Sequence, residues 1–180
     1  GGQMAARGWW MFRWLGHEAT AVLDGGLQRW QRPLAFDTPE ILSPSNYKPK
    51  QALTRLWQVQ EVEHNLNQPT HQLVDARSAA RFLGEQEPID PVSGHIPSAI
   101  CLPSTDNLAP SGLFKTPEDL RERFADISST NTVCYCGSGV TATHNILAMR
   151  LAGMAEPVLY ADSWSGWITD SDRPIATENA

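Results

Sequence analysis

A chain of 180 residues can hold one full domain and part of another, and its 41% hydrophobic and 19% charged residues are those of an ordinary globular protein. A net charge of −6 without any long Lys/Arg cluster excludes nucleic acid or an anionic membrane as the main partner, and apolar runs such as GWWMFRWLG fall far short of the ~20 residues that span a bilayer. Three cysteines are too few for a disulfide framework and GGQMAARGWW lacks the marks of a signal peptide, so a reducing cytoplasm is the expected location.

Ala5 to Leu15 reads as a helix rich in large aromatics and stopped by Gly16 at C′. ATAVLDGG reads as a buried strand ending in a Gly-Gly turn, and LQRW as a short helix. Pro33, Pro39, Pro44 and Pro49 then space out a stretch without apolar periodicity, the mark of an extended linker. Beyond it VQEVEHNL is an amphipathic helix, HQLVDA a buried strand, SAARFLG a helical turn or two closed by Gly84, and SAICLP a short strand. TPEDLRERFADI carries Thr116 at the N-cap, Pro117 at N1 and Asp119 at N3, with Leu120, Phe124 and Ile127 on one face. TVCYC is a strand, TATHNILAMRLAG a helix closed by Gly153, and PVLY a last strand. Strands alternating with helices at this spacing predict an α/β domain with a mostly parallel central sheet flanked by helices.

The order helix, glycine, strand ending in an acidic residue, tryptophan-bearing turn occurs twice, in GWWMFRWLGHEATAVLDGGLQRW and in HNILAMRLAGMAEPVLYADSWSGW. Together with a start that lacks an initiator Met, this predicts the tail of one domain followed by a complete second copy. The expected division is residues 1–33 for the remnant, 34–52 for the linker and 53–180 for the second domain. A remnant of one helix, one strand and a turn cannot bury Trp9, Trp10, Phe12 and Trp14 by itself. Unless the second domain covers them, self-association of the chain is expected.

The chemistry lies in CYCGSGVTATHN. Cys136 falls where a central strand ends and a helix begins, the edge at which open α/β sheets bind ligands. Gly137 and Gly139 let the chain curl so that successive amides form an anion-binding nest at the helix start. A thiolate there should have a pKa below the ~8.5 of a free cysteine. Ser138 adds a hydroxyl that can relay a proton near the sulfur. A phosphatase loop of the Cys-x5-Arg type would need a guanidinium six residues on, where this chain has Ala142.

CGSGVTA resembles the active-site loop of the 3-mercaptopyruvate sulfurtransferases, the two-domain branch of the rhodanese superfamily; thiosulfate-using relatives typically carry Arg-Lys in place of this Gly-Ser. LVDARSAARF, GHIPSA and LYADSWSGW are similar to further motifs of that family, and WWMFRWLGHEATAVLDGGLQRW resembles the end of its catalytically silent first domain. The resemblance implies a rhodanese-like domain preceded by the tail of another. It makes Cys136 the nucleophile that becomes a persulfide, with Ser138 as its relay partner and Gly137, Gly139, Val140 and Thr141 as the amide cradle. Arg81 matches the arginine that binds the donor's carboxylate, while a second family arginine is replaced here by Ile89 in EPI. The implied reaction takes a sulfane sulfur from 3-mercaptopyruvate, or thiosulfate, to a thiol, thioredoxin or cyanide, with no metal or organic cofactor. The alternative is a persulfide carrier or binding module without efficient donor turnover.

The other reactive side chains read as structural. His95 in GHIPSA reads as fixing its loop by hydrogen bonds, with a catalytic role as the alternative; Asp75 and Arg77 tie a strand end by a salt bridge, and His144 is packed or exposed rather than a ligand. Cys134 and Cys101 belong to the core. Residues two apart on a strand have Cα atoms ~6.5–7 Å apart, poor for a Cys134–Cys136 disulfide, and no second ligand pair has zinc spacing.

Overall fold

A computed structural model of the chain describes residues 2–38 and 43–178. Five strands form one sheet: β1 (Arg55–Trp57), β2 (Gln72–Asp75), β3 (Ile100–Cys101), β4 (Thr132–Tyr135) and β5 (Val158–Tyr160). Their order is β1-β5-β4-β2-β3 and every pairing is parallel. Parallel strands need crossovers, and these are supplied by α2 (Val59–Asn67), α3 (Ala79–Phe82), α4 (Pro117–Arg123) and α5 (Thr141–Leu151). Two further helices, α1 (Gln3–Trp14) and α6 (Ser163–Trp167), lie at the two ends of the described chain.

The period of two along β4 sorts the core into two layers. Val133 and Tyr135 join Phe82, Trp164 and Trp167 on one face of the sheet. Cys134 and Cys136 join Ile146, Leu120 and Phe124 on the other, together with Ala6, Trp9 and Trp10 of α1. Packing of α1 on α5 therefore covers two of the four aromatics that were expected to need a partner. Phe12 and Trp14 stay about half exposed. α1 ends as expected at Gly16, whose φ of 80° lets its amide donate to Arg13 O while His17 N reaches back to Phe12 O.

Several elements differ from the sequence expectation. ATAVLDGG forms no strand: its residues are mostly exposed, and among the described residues no strand pairs with it, so β-branched side chains alone cannot make a ladder there. Arg55–Trp57 is an unexpected edge strand, too short to show alternation. The last motif, expected as a turn, is helix α6. LQRW becomes a 3-10 turn over Gly26–Arg29. α4 begins at the expected cap, with Thr116 Oγ1 accepting from Asp119 N at 3.2 Å, and stops at Arg123 rather than running to Ile127. Pro39 lies outside the described residues.

Candidate active site

Cys136 follows the last residue of β4 at the carboxyl edge of the sheet, between the parallel neighbours β5 and β2. Its side chain is 1% exposed. The backbone around it is held by α6: Ser163 Oγ accepts from Cys136 N at 3.1 Å, Trp164 N donates to Cys136 O, and Ser165 N to Gly137 O, both at 2.9 Å. Ser163 pays for this position with a φ of 54°, uncommon for a residue with a Cβ. Past the cysteine, the amides of residues 138–140 donate to no group among the described residues. That leaves a run of free donors at the start of α5, which has no side-chain cap. Gly139 has φ 73° and lies against β5's continuation: a Cβ there would sit 2.3 Å from Ala161 O. Ser138 is exposed, Val140 is the N-cap of α5 and Thr141 its first residue. The loop residues read from the sequence are thus contiguous around one sulfur.

Arg81 comes to the same place from α3. Its guanidinium lies against Gly137, Nη1 being 3.5 Å from where a Cβ would stand. It is not a free cation, however. Glu87 receives it at 2.7 Å and Asp90 at 2.9 Å, with the two acids four-to-eight per cent exposed. Burial alone would raise the pKa of Glu87, but hydrogen bonds from Arg81 and from the amides of Asp90 and Ile89 more than offset it and leave it lowered. Ser165 Oγ stands 2.8 Å from both Asp90 Oδ1 and Gly137 O, joining this cluster to the loop. Ile89 is 74% exposed. A cleft of 170 Å³ beside the loop is lined by Arg81, Thr141, Ser104 and, from α1, Gln3. A larger cleft of 500 Å³ between Val22–Arg29 and Leu108–Phe114 holds none of these residues.

One charged residue escaped the sequence reading. Arg7 of α1 donates from Nη1 to Gly139 O at 3.3 Å, and its guanidinium sits 5.2 Å over the Trp10 ring. Gln3 and Arg7 are one helical turn apart, so the same face of α1 gives the cleft a wall and the loop a cation. The only sequence signal was their i, i+4 spacing in a helix otherwise read for its tryptophans.

The remaining candidates are structural, as expected. Asp75 and Arg77 form a buried pair at 2.7 Å, and Arg77 also donates to Gly94 O and stacks on Trp164. Burial would lower the pKa of Arg77, but the hydrogen bond and charge of Asp75 leave it raised. His95 is fully buried, its Nδ1 2.7 Å from Phe82 O and its ring stacked on Phe82; burial lowers its pKa. It also anchors the C-terminal segment through a two-way backbone bridge to Ala176. His144 packs between Asn107 and Phe114. Burial pushes the Cys101 thiol up to about 11, and that of Cys134 further still. Both are thereby unsuited to attack at neutral pH.

The profile of the Rhodanese-like domain matches residues 58–170. A probable 3-mercaptopyruvate sulfurtransferase of Pseudomonas aeruginosa is 46% identical over 98% of this chain and 64% of its own length. A thiosulfate sulfurtransferase of Mus musculus is 38% identical over 91% of this chain and 58% of its own length. The chain thus spans about three fifths of the length of these relatives. Among solved structures, the Tum1 protein from Saccharomyces cerevisiae superposes with a TM-score of 0.83 at 25% identity, over 99% of this chain and 67% of that one.

Proposed function

The chain belongs to the rhodanese-like domain family, and on that premise we propose that it is a sulfurtransferase working through a persulfide on Cys136. The observation that carries this reading is a cysteine at the carboxyl end of the central strand, followed by a loop whose amides 138–140 have no partner among the described residues. In the first half-reaction the Cys136 thiolate attacks the sulfur of 3-mercaptopyruvate. The sulfur–sulfur bond forms as the carbon–sulfur bond breaks, its electron pair leaving as the enolate of pyruvate, which takes a proton. Ser138, exposed and without a side-chain partner among the described residues, is free to relay that proton. In the second, an acceptor thiol, thioredoxin or cyanide attacks the outer sulfur and releases the Cys136 thiolate. Arg81 is the group for the donor's carboxylate, through the Nη1 edge that its acidic partners leave open toward Gly137.

The loop itself carries no charge, which favours mercaptopyruvate over the compact thiosulfate dianion. Three free cysteines suit a reducing cytoplasm. Among the described residues no helix is long and apolar enough to cross a membrane. Residues 1–33 are read as the tail of another rhodanese-like unit, on the repeated order of helix, glycine and acidic turn. The alternative of a carrier without efficient turnover is favoured by the two carboxylates on Arg81 and by the exposed Ile89.

Steady-state assay with 3-mercaptopyruvate and cyanide separates the two readings. Cys136→Ser should abolish thiocyanate formation, while Cys101→Ser and Cys134→Ser keep most of it. Mass spectrometry after exposure to donor should find one added sulfur on the Cys136 peptide. Label on Cys134 instead would overturn the assignment, and label on Cys136 without turnover would establish the carrier. A higher kcat/KM with thiosulfate would overturn the choice of donor.

A further inference from the structure

We propose that Arg7 is a positioning residue of this site, the cation that holds the Cys136 sulfur in its anionic form. Cys136 belongs to the apolar layer that α1 shares through Ala6, Trp9 and Trp10, beside residues of α4 and α5. On α1, Arg7 is half-buried, aimed at the loop by its bond to Gly139 O and braced over Trp10.

The charge balance decides between the two arginines at the loop. Arg81 shares its charge with Glu87 and Asp90, so its field at the sulfur is largely cancelled. Arg7 pairs with no acidic side chain among the described residues; its partners are a carbonyl and an aromatic face. Among the described residues, the groups that bond to the loop or adjoin Cys136 from the other elements are uncharged side chains. α6 brings Ser163, Trp164 and Ser165, α5 brings Thr141 and Ala142, and β4 brings the Cys134 thiol, which burial keeps neutral. Burial lowers the pKa of Arg7, and the charge of Cys136 acts on it in the opposite sense. An opposite charge in a half-buried setting is the standard means of favouring a thiolate, and a persulfide anion gains in the same way.

The inference rests on Cys136 being the reactive sulfur, and its test does not require turnover. The rate of alkylation by iodoacetamide is followed against pH on the whole chain, with the label located by mass spectrometry. Arg7→Gln should move the midpoint of the Cys136 profile up by about one pH unit. Well below that midpoint the rate should fall roughly tenfold, with a larger fall for the anionic reagent iodoacetate. Arg7→Lys should restore most of the midpoint. Arg13→Gln, on the same helix but paired with Glu156, should leave it in place. A Gln variant that coincides with the wild type overturns the inference, and so does an equal shift in the Lys or the Arg13 variant. Label on another cysteine in the wild type would instead remove Cys136 as the reactive sulfur, and the role of Arg7 with it.

Discussion

The part of the chain from Thr54 onward keeps Trp164 and Trp167 at 0% exposure, whereas the segment ahead of it leaves Trp30 at 44% and Phe36 at 90%. The two regions have similar aromatic side chains but different means of covering them. A parallel sheet has two faces, and α6 with α3 closes one while α5 with α4 closes the other. A single helix presents one stripe to its support, so α1 buries Ala6, Trp9 and Trp10 and leaves Met4, Met11 and Phe12 outside. The regions divide the chemistry in the same way. The sheet fixes where the sulfur is, and the docked helix supplies a wall and a charge beside it.

The strongest way to break the sheet's half of this division is at Gly139. An Ala there must hold φ near 73° and place its Cβ 2.3 Å from a backbone oxygen that no side-chain rotation can move. The left-handed conformation alone costs about 1 kcal/mol for an alanine, and the clash adds more, so a total loss near 3 kcal/mol is expected. The loop would relieve the clash by shifting away from Ala161, carrying the amides with it. Misplacement on the order of 1 Å reduces rates roughly a hundredfold. Thiocyanate production by Gly139→Ala should fall by about that factor, and urea unfolding should show the lost stability. Wild-type activity would mean that the close approach to Ala161 does not hold the loop.

What was legible in the sequence follows from how local each feature is. The loop from Cys136 to Thr141 is six consecutive residues between two periodic elements, and its reading needed no distant partner. β2, β4 and β5 were visible as apolar runs because both faces of the sheet are covered. β1 was not, since Arg55 is exposed and three residues give no alternation to detect. ATAVLDGG misled because a strand requires a neighbour that composition does not report. α6 was hidden by Gly166 and two serines, which mark turns more often than helices. The Glu87 and Asp90 brackets on Arg81 lie only six and nine residues downstream, yet which side chain turns inward from EPID is settled by packing. Arg7 is the extreme case: 132 residues separate it from the carbonyl it reaches.

A milder break falls on the helix's half. Trp10 is 2% exposed and packs in the layer that holds Cys136, so Trp10→Ala leaves a large void between α1 and α5. Buried Trp→Ala changes cost 3–5 kcal/mol, and the low end suits a site at the edge of the core. If α1 is docked on a domain that stands by itself, the loss should be confined to α1. Hydrogen exchange would then show protection of α1 amides reduced by roughly two orders of magnitude while β4 keeps its own. Equal losses in both would show that the helix and the sheet unfold as one unit.

The smallest effect should have the opposite sign, and it comes from the second informative glycine. Gly8 lies inside α1 between Arg7 and Trp9, in ordinary helical backbone, and a Cβ built on it meets nothing within 4 Å. At Gly139 the missing side chain makes room for a neighbour; at Gly8 it makes room for none. There the glycine only adds freedom to the unfolded chain, and Ala in its place should favour the helix by about 0.5–1 kcal/mol. Read through hydrogen exchange, that is roughly a two- to fivefold rise in protection of α1 amides. The Cys136 alkylation profile should stay where it is, because neither Arg7 nor Gly139 would move. A loss of protection in Gly8→Ala would mean that this stretch of α1 must approach something more closely than its neighbours in the chain show. The helix face around Arg7 would then be an interface, and the contrast between the two regions would belong to this chain taken alone.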